Sequence, residues 1–283
     1  KINLIRIAVN FDNFVTCEDM TKKLKSLGYK VGLNLMQSHG KSEKEYIDAG
    51  KEIRNWDAVD VLYFADSLGN MSYQEVESIT KYIESGWNGA IGIHTHNNKG
   101  FALNNSVAAI ESGVTWCDGT VTGMGRGAGN VPTENLIMEL QNLGKFTGDP
   151  LKLHATTTEF SKLKEVYNWG PNLHYHYAAN QNIHPTFVQT LLSDDRYEEI
   201  QIIDSLKYLS KVTSTSFNEE YLKESIFSGE DLSGSWDATG WLANQEVLMI
   251  GGGPSVVKNK GMIEKFIKEK KCKVVFLNHN SIF

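Results

Sequence analysis

Short runs of β-branched and aliphatic residues alternate along the first half of the chain with amphipathic stretches of helical period. The apolar runs are Leu4–Val9, Val31–Met36, Val61–Ala65, Ala90–His94 and Thr115–Val121, centred near Ile7, Leu33, Tyr63, Gly92 and Asp118, so they recur every 26–30 residues. Between them lie Glu18–Leu27, Lys41–Arg54, Ser72–Ser85 and Ala102–Ser112, with Gly28, Gly86 and Gly113 where left-handed caps belong. Strand and helix in strict alternation predict parallel βα units. Five units of ~29 residues are well short of the ~250 residues of a complete eight-unit barrel. The pattern therefore predicts either a five-stranded open sheet or the last five units of a (βα)8 barrel.

Beyond residue 147 the period changes. Leu151–Trp169 and Thr186–Lys211 read as helices, the second interrupted at Ser193–Asp195. The polar stretch 214–243 reads as a linker. From Glu246 an apolar run enters Gly251-Gly252-Gly253-Pro254-Ser255, followed by a helical stretch through Ile267 and a strand at Val274, the opening of a βαβ unit. The expected division is a barrel-type unit (1–147), a helical segment (148–213), a linker (214–243) and the start of a Rossmann-like domain (244–283). The chain opens on Lys1 with an apolar run from Ile2 and stops soon after a strand, which predicts a piece of a longer polypeptide. Leu4–Val9 is then an unpaired parallel edge that invites association with another chain.

Composition narrows the partners. A 283-residue chain with 41% hydrophobic residues, six Trp and five Pro is globular rather than disordered. A net charge of −6 with scattered Lys gives no footprint for nucleic acid or anionic membrane, so a small molecule is the expected partner. No apolar run approaches the ~18 residues of a membrane span, and three unpaired-looking cysteines fit a reducing, cytoplasmic setting.

Candidate chemistry collects at the ends of the predicted strands, where parallel α/β folds build their sites. In Ile93-His94-Thr95-His96-Asn97-Asn98 the strand alternation puts His94 and His96 on one face, where two imidazoles can meet one metal ion; spacing alone leaves a core-satisfied pair equally open. The loop Gly123-Met124-Gly125-Arg126-Gly127-Ala128-Gly129-Asn130 follows the next strand, and so many glycines let backbone amides approach an anionic or enolate ligand. Asp118 and Cys117 read as core or strand-face positions on burial habit. A second His-x-His, His174 and His176, has no third ligand at ordinary spacing and reads as structural.

These motifs resemble the metal-dependent aldolase, lyase and synthase barrels that include 4-hydroxy-2-oxovalerate aldolase, hydroxymethylglutaryl-CoA lyase and isopropylmalate synthase. The resemblance runs over about residues 2–145, through His94–Asn98, Asn105–Val107, Glu111–Gly113, Asp118–Thr120, Gly123–Asn130 and Pro132–Glu134. Upstream, Val31–His39 and Tyr63–Met71 are most similar to the fifth and sixth strands of the hydroxy-oxo-acid aldolases. It implies that His94 and His96 hold a divalent ion, Mn²⁺ or Mg²⁺, with Asn130 as a further ligand or neighbour. It also implies that Asp66, Ser67 and the loop glycines Gly125 and Gly127 line the substrate pocket, and that a Tyr from the helical segment, Tyr175 or Tyr177, covers the site. The implied reaction is cleavage of a 4-hydroxy-2-oxo acid through a metal-stabilised pyruvate enolate. The alternatives are a Claisen-type acyl-CoA condensing enzyme of the same fold, or a catalytically incomplete barrel serving as a nucleotide-binding scaffold.

Two departures from the family stand out. Its first strand ends in an Arg-Asp pair, the Asp a metal ligand, which nothing here precedes the fourth strand to match. Gly127 stands where the lyase branch carries a catalytic Cys, which argues against a hydroxymethylglutaryl-CoA lyase. The Gly251–Ser255 turn resembles nucleotide-phosphate turns of Rossmann-like domains in sialyltransferases and surface-glycan proteins. There Gly251, Gly252, Gly253 and Ser255 would meet a nucleotide or nucleotide-sugar, with simple packing equally open.

Overall fold

The computed structural model describes residues 2–212, 214–226, 239–251 and 254–276, and the chain divides into two compact units, Lys1–Glu230 and Asp231–Phe283. In the first, β1 (Leu4–Asn10), β2 (Lys30–Met36), β3 (Val61–Asp66), β4 (Ala90–Thr95) and β5 (Trp116–Cys117) form one all-parallel sheet in sequence order. The connections are α1 (Glu18–Ser26), α2 (Glu43–Asn55), α3 (Tyr73–Gly86) and α4 (Ala102–Glu111), and α5 (Thr133–Asn142) follows β5. The expected strand and helix positions in this half agree to within a few residues, except that β5 is two residues long instead of seven.

Period-two alternation sorts the strand side chains onto two faces. Ile7, Val9, Leu33, Leu35, Leu62, Phe64, Ile91 and Ile93 face the helices and join Tyr46, Ile53, Val76, Ile79 and Ile83 in the main apolar core. The other face carries Arg6, Ala8, Asn10, Asn34, Met36, Ala65 and His94. Helix starts follow local chemistry. Ser42 accepts from Glu45 N–H while Glu45 bonds back to Ser42, a reciprocal cap, and Ser72 accepts from Glu75 N–H. Gly92 is required by its neighbour, because a Cβ there would lie 2.4 Å from the Tyr63 ring across the β3–β4 pairing.

The helical segment comprises α6 (His154–Tyr167), α7 (Leu173–Asn180), α8 (Pro185–Leu192), α9 (Glu199–Leu209) and α10 (Glu219–Ile226). Helix α10 corrects the expectation of a linker from residue 214. Leu222 is buried in the same core as Leu206 and Leu209, and Ser205 Oγ donates to Ser225 O at 3.2 Å, so the segment belongs to the first unit. That core also takes in Ala128 of the Gly-rich loop. Trp169 Nε1 donates to Thr122 O at 3.1 Å and Gly170 N to Gly127 O at 3.0 Å. The helices are thus built onto the loop that the sequence marks as functional. No helix among the described residues is long and apolar enough to cross a membrane.

In the second unit β6 (Val247–Ile250) pairs in parallel with β7 (Lys273–Phe276), joined by α11 (Pro254–Lys258) and α12 (Lys260–Lys270). This is the βαβ opening expected from the sequence. Gly252 and Gly253 of its turn lie outside the described residues; Gly251 has open space where a Cβ would be, and Ser255 lies in α11.

Candidate active site

A cavity of about 440 Å³ opens at the carboxyl ends of the strands. It is lined by Arg6, Asn34, Ser67, His94, His96, Arg126 and His184, among others. His94 and His96 stand edge to face with ring centroids 4.9 Å apart. Their Nδ1 atoms are both engaged: His94 Nδ1 is 2.7 Å from Asp118 Oδ2, and His96 Nδ1 is 2.9 Å from the carbonyl oxygen of Asp66. Both partners are acceptors, so each neutral ring carries its proton on Nδ1 and keeps a lone pair on Nε2. A carboxylate or carbonyl behind a ligating imidazole is the arrangement that orients histidines toward metals. Burial, with His94 next in order, pushes the His96 pKa down to about 4, which keeps its lone pair available at neutral pH.

Asn130 sits beside them through an antiparallel bridge to His96, with Asn97 N donating to Gly129 O at 2.9 Å. Its amide Nδ2 donates to Met124 O at 3.2 Å, while its Oδ1 is buried without a hydrogen-bond partner. An orphaned amide oxygen is costly unless something is meant to meet it. Asn34, which lines the same cavity from β2, also has a buried Oδ1 without a partner. Two free imidazole nitrogens and an amide oxygen are the kind of donors that Mn²⁺ or Mg²⁺ accepts, so the residues present fit such an ion. Among the described residues no group of three His, Cys, Asp or Glu side chains converges as a metal site, so further donors would be amides, water or substrate.

Asp118, which reads from the sequence as a core or strand-face position, contacts His94 at the edge of the cavity. Its Oδ2 also accepts from Arg6 Nη1 at 2.5 Å, and Arg6 lies over the Tyr63 ring at 4.8 Å. Burial raises the Asp118 pKa, but the hydrogen bonds from His94 and Arg6 outweigh it and hold the carboxyl below its ordinary value. The signal was in the register: Ile93 pairs with Cys117, which sets Asp118 next to His94.

The other expected site residues are distributed differently. Ser67 lines the cavity, its Oγ accepting from Gln37 N at 2.9 Å. The Asp66 side chain is fully buried and turned into its own loop, accepting from Asn70 N at 3.0 Å and Met71 N at 3.3 Å; burial lifts its pKa to about 6. It serves the cavity through its carbonyl on His96. Gly125, Gly127 and Tyr175 line a second cavity of about 450 Å³ behind the loop, and Tyr177 packs in the helical core. A Cβ on Gly127 (φ +61°) would lie 2.8 Å from the Tyr175 ring. His174 and His176 sit two apart on α7, where a helix turns them to different faces. Arg126 and His184, which the sequence analysis did not single out, both reach the first cavity.

Fold and site together define an α/β protein whose parallel strands carry a histidine pair into a cavity at their carboxyl ends. The HMGL-like family model matches residues 9–169, more than half of the chain, and the chain belongs to that family. It is 35% identical over 145 residues to a 4-hydroxy-2-oxovalerate aldolase of Carboxydothermus hydrogenoformans, covering 51% of this chain and 43% of that protein. The chain thus spans less than half the length of this curated relative. Among solved structures it resembles the N-terminal domain of a protein described as an aldolase from Bacteroides vulgatus (30% identity, TM-score 0.62), over 71% of this chain and 66% of that one. The carboxyl transferase domain of Rhizobium etli pyruvate carboxylase shares the fold at 14% identity (TM-score 0.64), over 80% of this chain and 42% of that one.

Proposed function

We propose that the protein is a divalent-metal-dependent aldolase that cleaves a 4-hydroxy-2-oxo acid to pyruvate and an aldehyde, and that its sheet forms part of a (βα)8 barrel. The observation that carries this reading is the pair of Nδ1-anchored histidines, His94 and His96, lining one cavity with Asn130 bridged through its backbone to His96. Family membership and the named aldolase relative support the choice of reaction.

His94, His96 and Asn130 would hold the ion, which supplies Lewis acidity toward the 2-oxo group and so favours the electron-rich product of carbon–carbon cleavage. Arg126, bonded to the neutral Thr186 hydroxyl at 3.0 Å rather than to a carboxylate, brings positive charge to the cavity for the substrate carboxylate. Ser67 uses its oxygen as an acceptor for Gln37 N–H, which leaves its hydroxyl proton to donate. In the reaction the C4 hydroxyl gives up its proton, the C3–C4 bond breaks, and C4 becomes the aldehyde carbon. The released electron pair forms the enolate of the 2-oxo acid, and a proton taken up at C3 gives pyruvate.

Pyruvate release from 4-hydroxy-2-oxopentanoate by the intact protein, with and without Mn²⁺, tests this. Turnover that depends on Mn²⁺ and is removed by a chelator supports the reading; absence of pyruvate release, or chelator-resistant turnover, contradicts it.

A further inference from the structure

The helical segment contributes one side chain with a titratable ring to the cavity of His94 and His96, and it is neither of the tyrosines expected from the sequence. Tyr175 borders the cavity behind the Gly-rich loop and Tyr177 is packed among helices, whereas His184 lines the candidate site itself. Its position is fixed by the start of α8. Pro185 occupies the first helical position and His184 is the N-cap, its Nδ1 accepting from Thr186 N at 3.3 Å. Its own backbone N–H donates to Ser214 O at 2.7 Å. The hydroxyl of the same Thr186 accepts from Arg126 of the Gly-rich loop at 3.0 Å. One residue therefore ties the loop that carries Asn130 to the ring of His184.

A neutral imidazole whose Nδ1 accepts a hydrogen bond bears its proton on Nε2. This is the reverse of His94 and His96, whose Nδ1 atoms face acceptors and whose Nε2 atoms are free lone pairs. The cavity thus holds two imidazoles set as ligands and one set as a donor. Burial, with Arg126 second, pushes the His184 pKa down to about 4, in keeping with a neutral ring at physiological pH.

We propose that His184 is a catalytic residue of this site, a neutral hydrogen-bond donor whose Nε2–H meets the substrate oxygen that gains negative charge as the carbon–carbon bond breaks. The inference rests on the aldolase reading above and adds to it the group that replaces the expected tyrosine. A neutral imidazole polarises a carbonyl without giving up its proton, and the fixed donor costs no reorganisation as charge develops. No proton is transferred to or from His184 in the cycle.

The test uses the intact protein with Mn²⁺ and 4-hydroxy-2-oxopentanoate, comparing wild type, His184→Phe and His184→Gln. The Gln amide places an N–H near the Nε2 position and does not titrate. His184→Phe is expected to lower kcat by about 100-fold with KM changed far less, the loss typical of a removed oxyanion donor. His184→Gln is expected to stay within about tenfold of wild type with an unchanged pH profile. Mn²⁺ affinity should hold in both, with the melting temperature of His184→Phe lowered by no more than the few degrees that the lost N-cap of α8 costs, which separates a donor from a packing residue. An active wild type with a Phe variant close to it, or with a Gln variant as impaired as Phe, overturns the role of His184 alone. A wild type that releases no pyruvate overturns the aldolase reading and this inference with it.

Discussion

Asp118 Oδ2 lies 2.7 Å from His94 Nδ1, and this contact between the end of β5 and the end of β4 decides which nitrogen of His94 faces the cavity. With Arg6 bound to the same oxygen at 2.5 Å, the carboxylate is held from β1 and β4 at once. The Asp118 carboxylate thus selects the tautomer of His94.

Asp118→Asn keeps the size of the group but removes its charge and frees Arg6. Mn²⁺ affinity of the intact protein, read by calorimetry, is expected to weaken by about 10- to 100-fold, the usual cost of losing a partner behind a ligating histidine. Affinity within twofold of wild type would leave Asp118 as packing.

The Gly-rich loop is fixed by its own backbone contacts. Gly129 (φ +78°) has the carbonyl oxygen of Gly123 only 2.1 Å from where a Cβ would stand, whereas Gly144 (φ +68°) has open space. Gly144→Ala should cost only the left-handed penalty of about 1–2 kcal/mol. Gly129→Ala should cost more, and should also weaken Mn²⁺ binding, because the loop cannot keep Asn130 beside His96 once Gly123 is displaced. Comparable melting temperatures for the two variants would contradict this.

Much of this architecture was legible in the sequence because each strand is read locally. The β-branched runs and their 26–30-residue recurrence located β1 to β4, and two-residue periodicity put His94 and His96 on one face. The predicted fifth strand was too long because the chain leaves the sheet at Asp118, whose side chain is engaged by His94 and Arg6; Thr120 instead bridges to Pro132. In α7 the buried set Tyr175, Ala178 and Ala179 follows helical spacing, and the His-x-His among them reads as structural from the sequence. The place of His184 was not legible, since nothing local distinguishes an N-cap histidine on the surface from one that a tertiary fold turns into a cavity.

A pH effect on stability follows from His39 and Glu75, whose ion pair measures 2.9 Å. The close approach of Glu75 raises the His39 pKa against the opposing effect of burial, and His39 in turn lowers that of Glu75. His39 therefore stabilises the fold fully below its ordinary value of 6.5, and this contribution fades as pH rises through its higher folded value. Glu75 stabilises above its ordinary 4.5, and that contribution fades as pH falls through its lower folded value. Thermal melting from pH 5 to 8 should show a decline above pH ~6.5 that His39→Gln reduces. An identical decline in the variant would assign it to other groups.

His94 and His96 are expected to form one divalent-ion site. Electron paramagnetic resonance and calorimetry of Mn²⁺ binding to the intact wild-type protein, His94→Ala and His96→Ala test it most directly. One ion per chain in the wild type, lost in both variants while their melting temperatures without metal stay close to that of the metal-free wild type, is the predicted result. Undiminished Mn²⁺ binding in His96→Ala would contradict it.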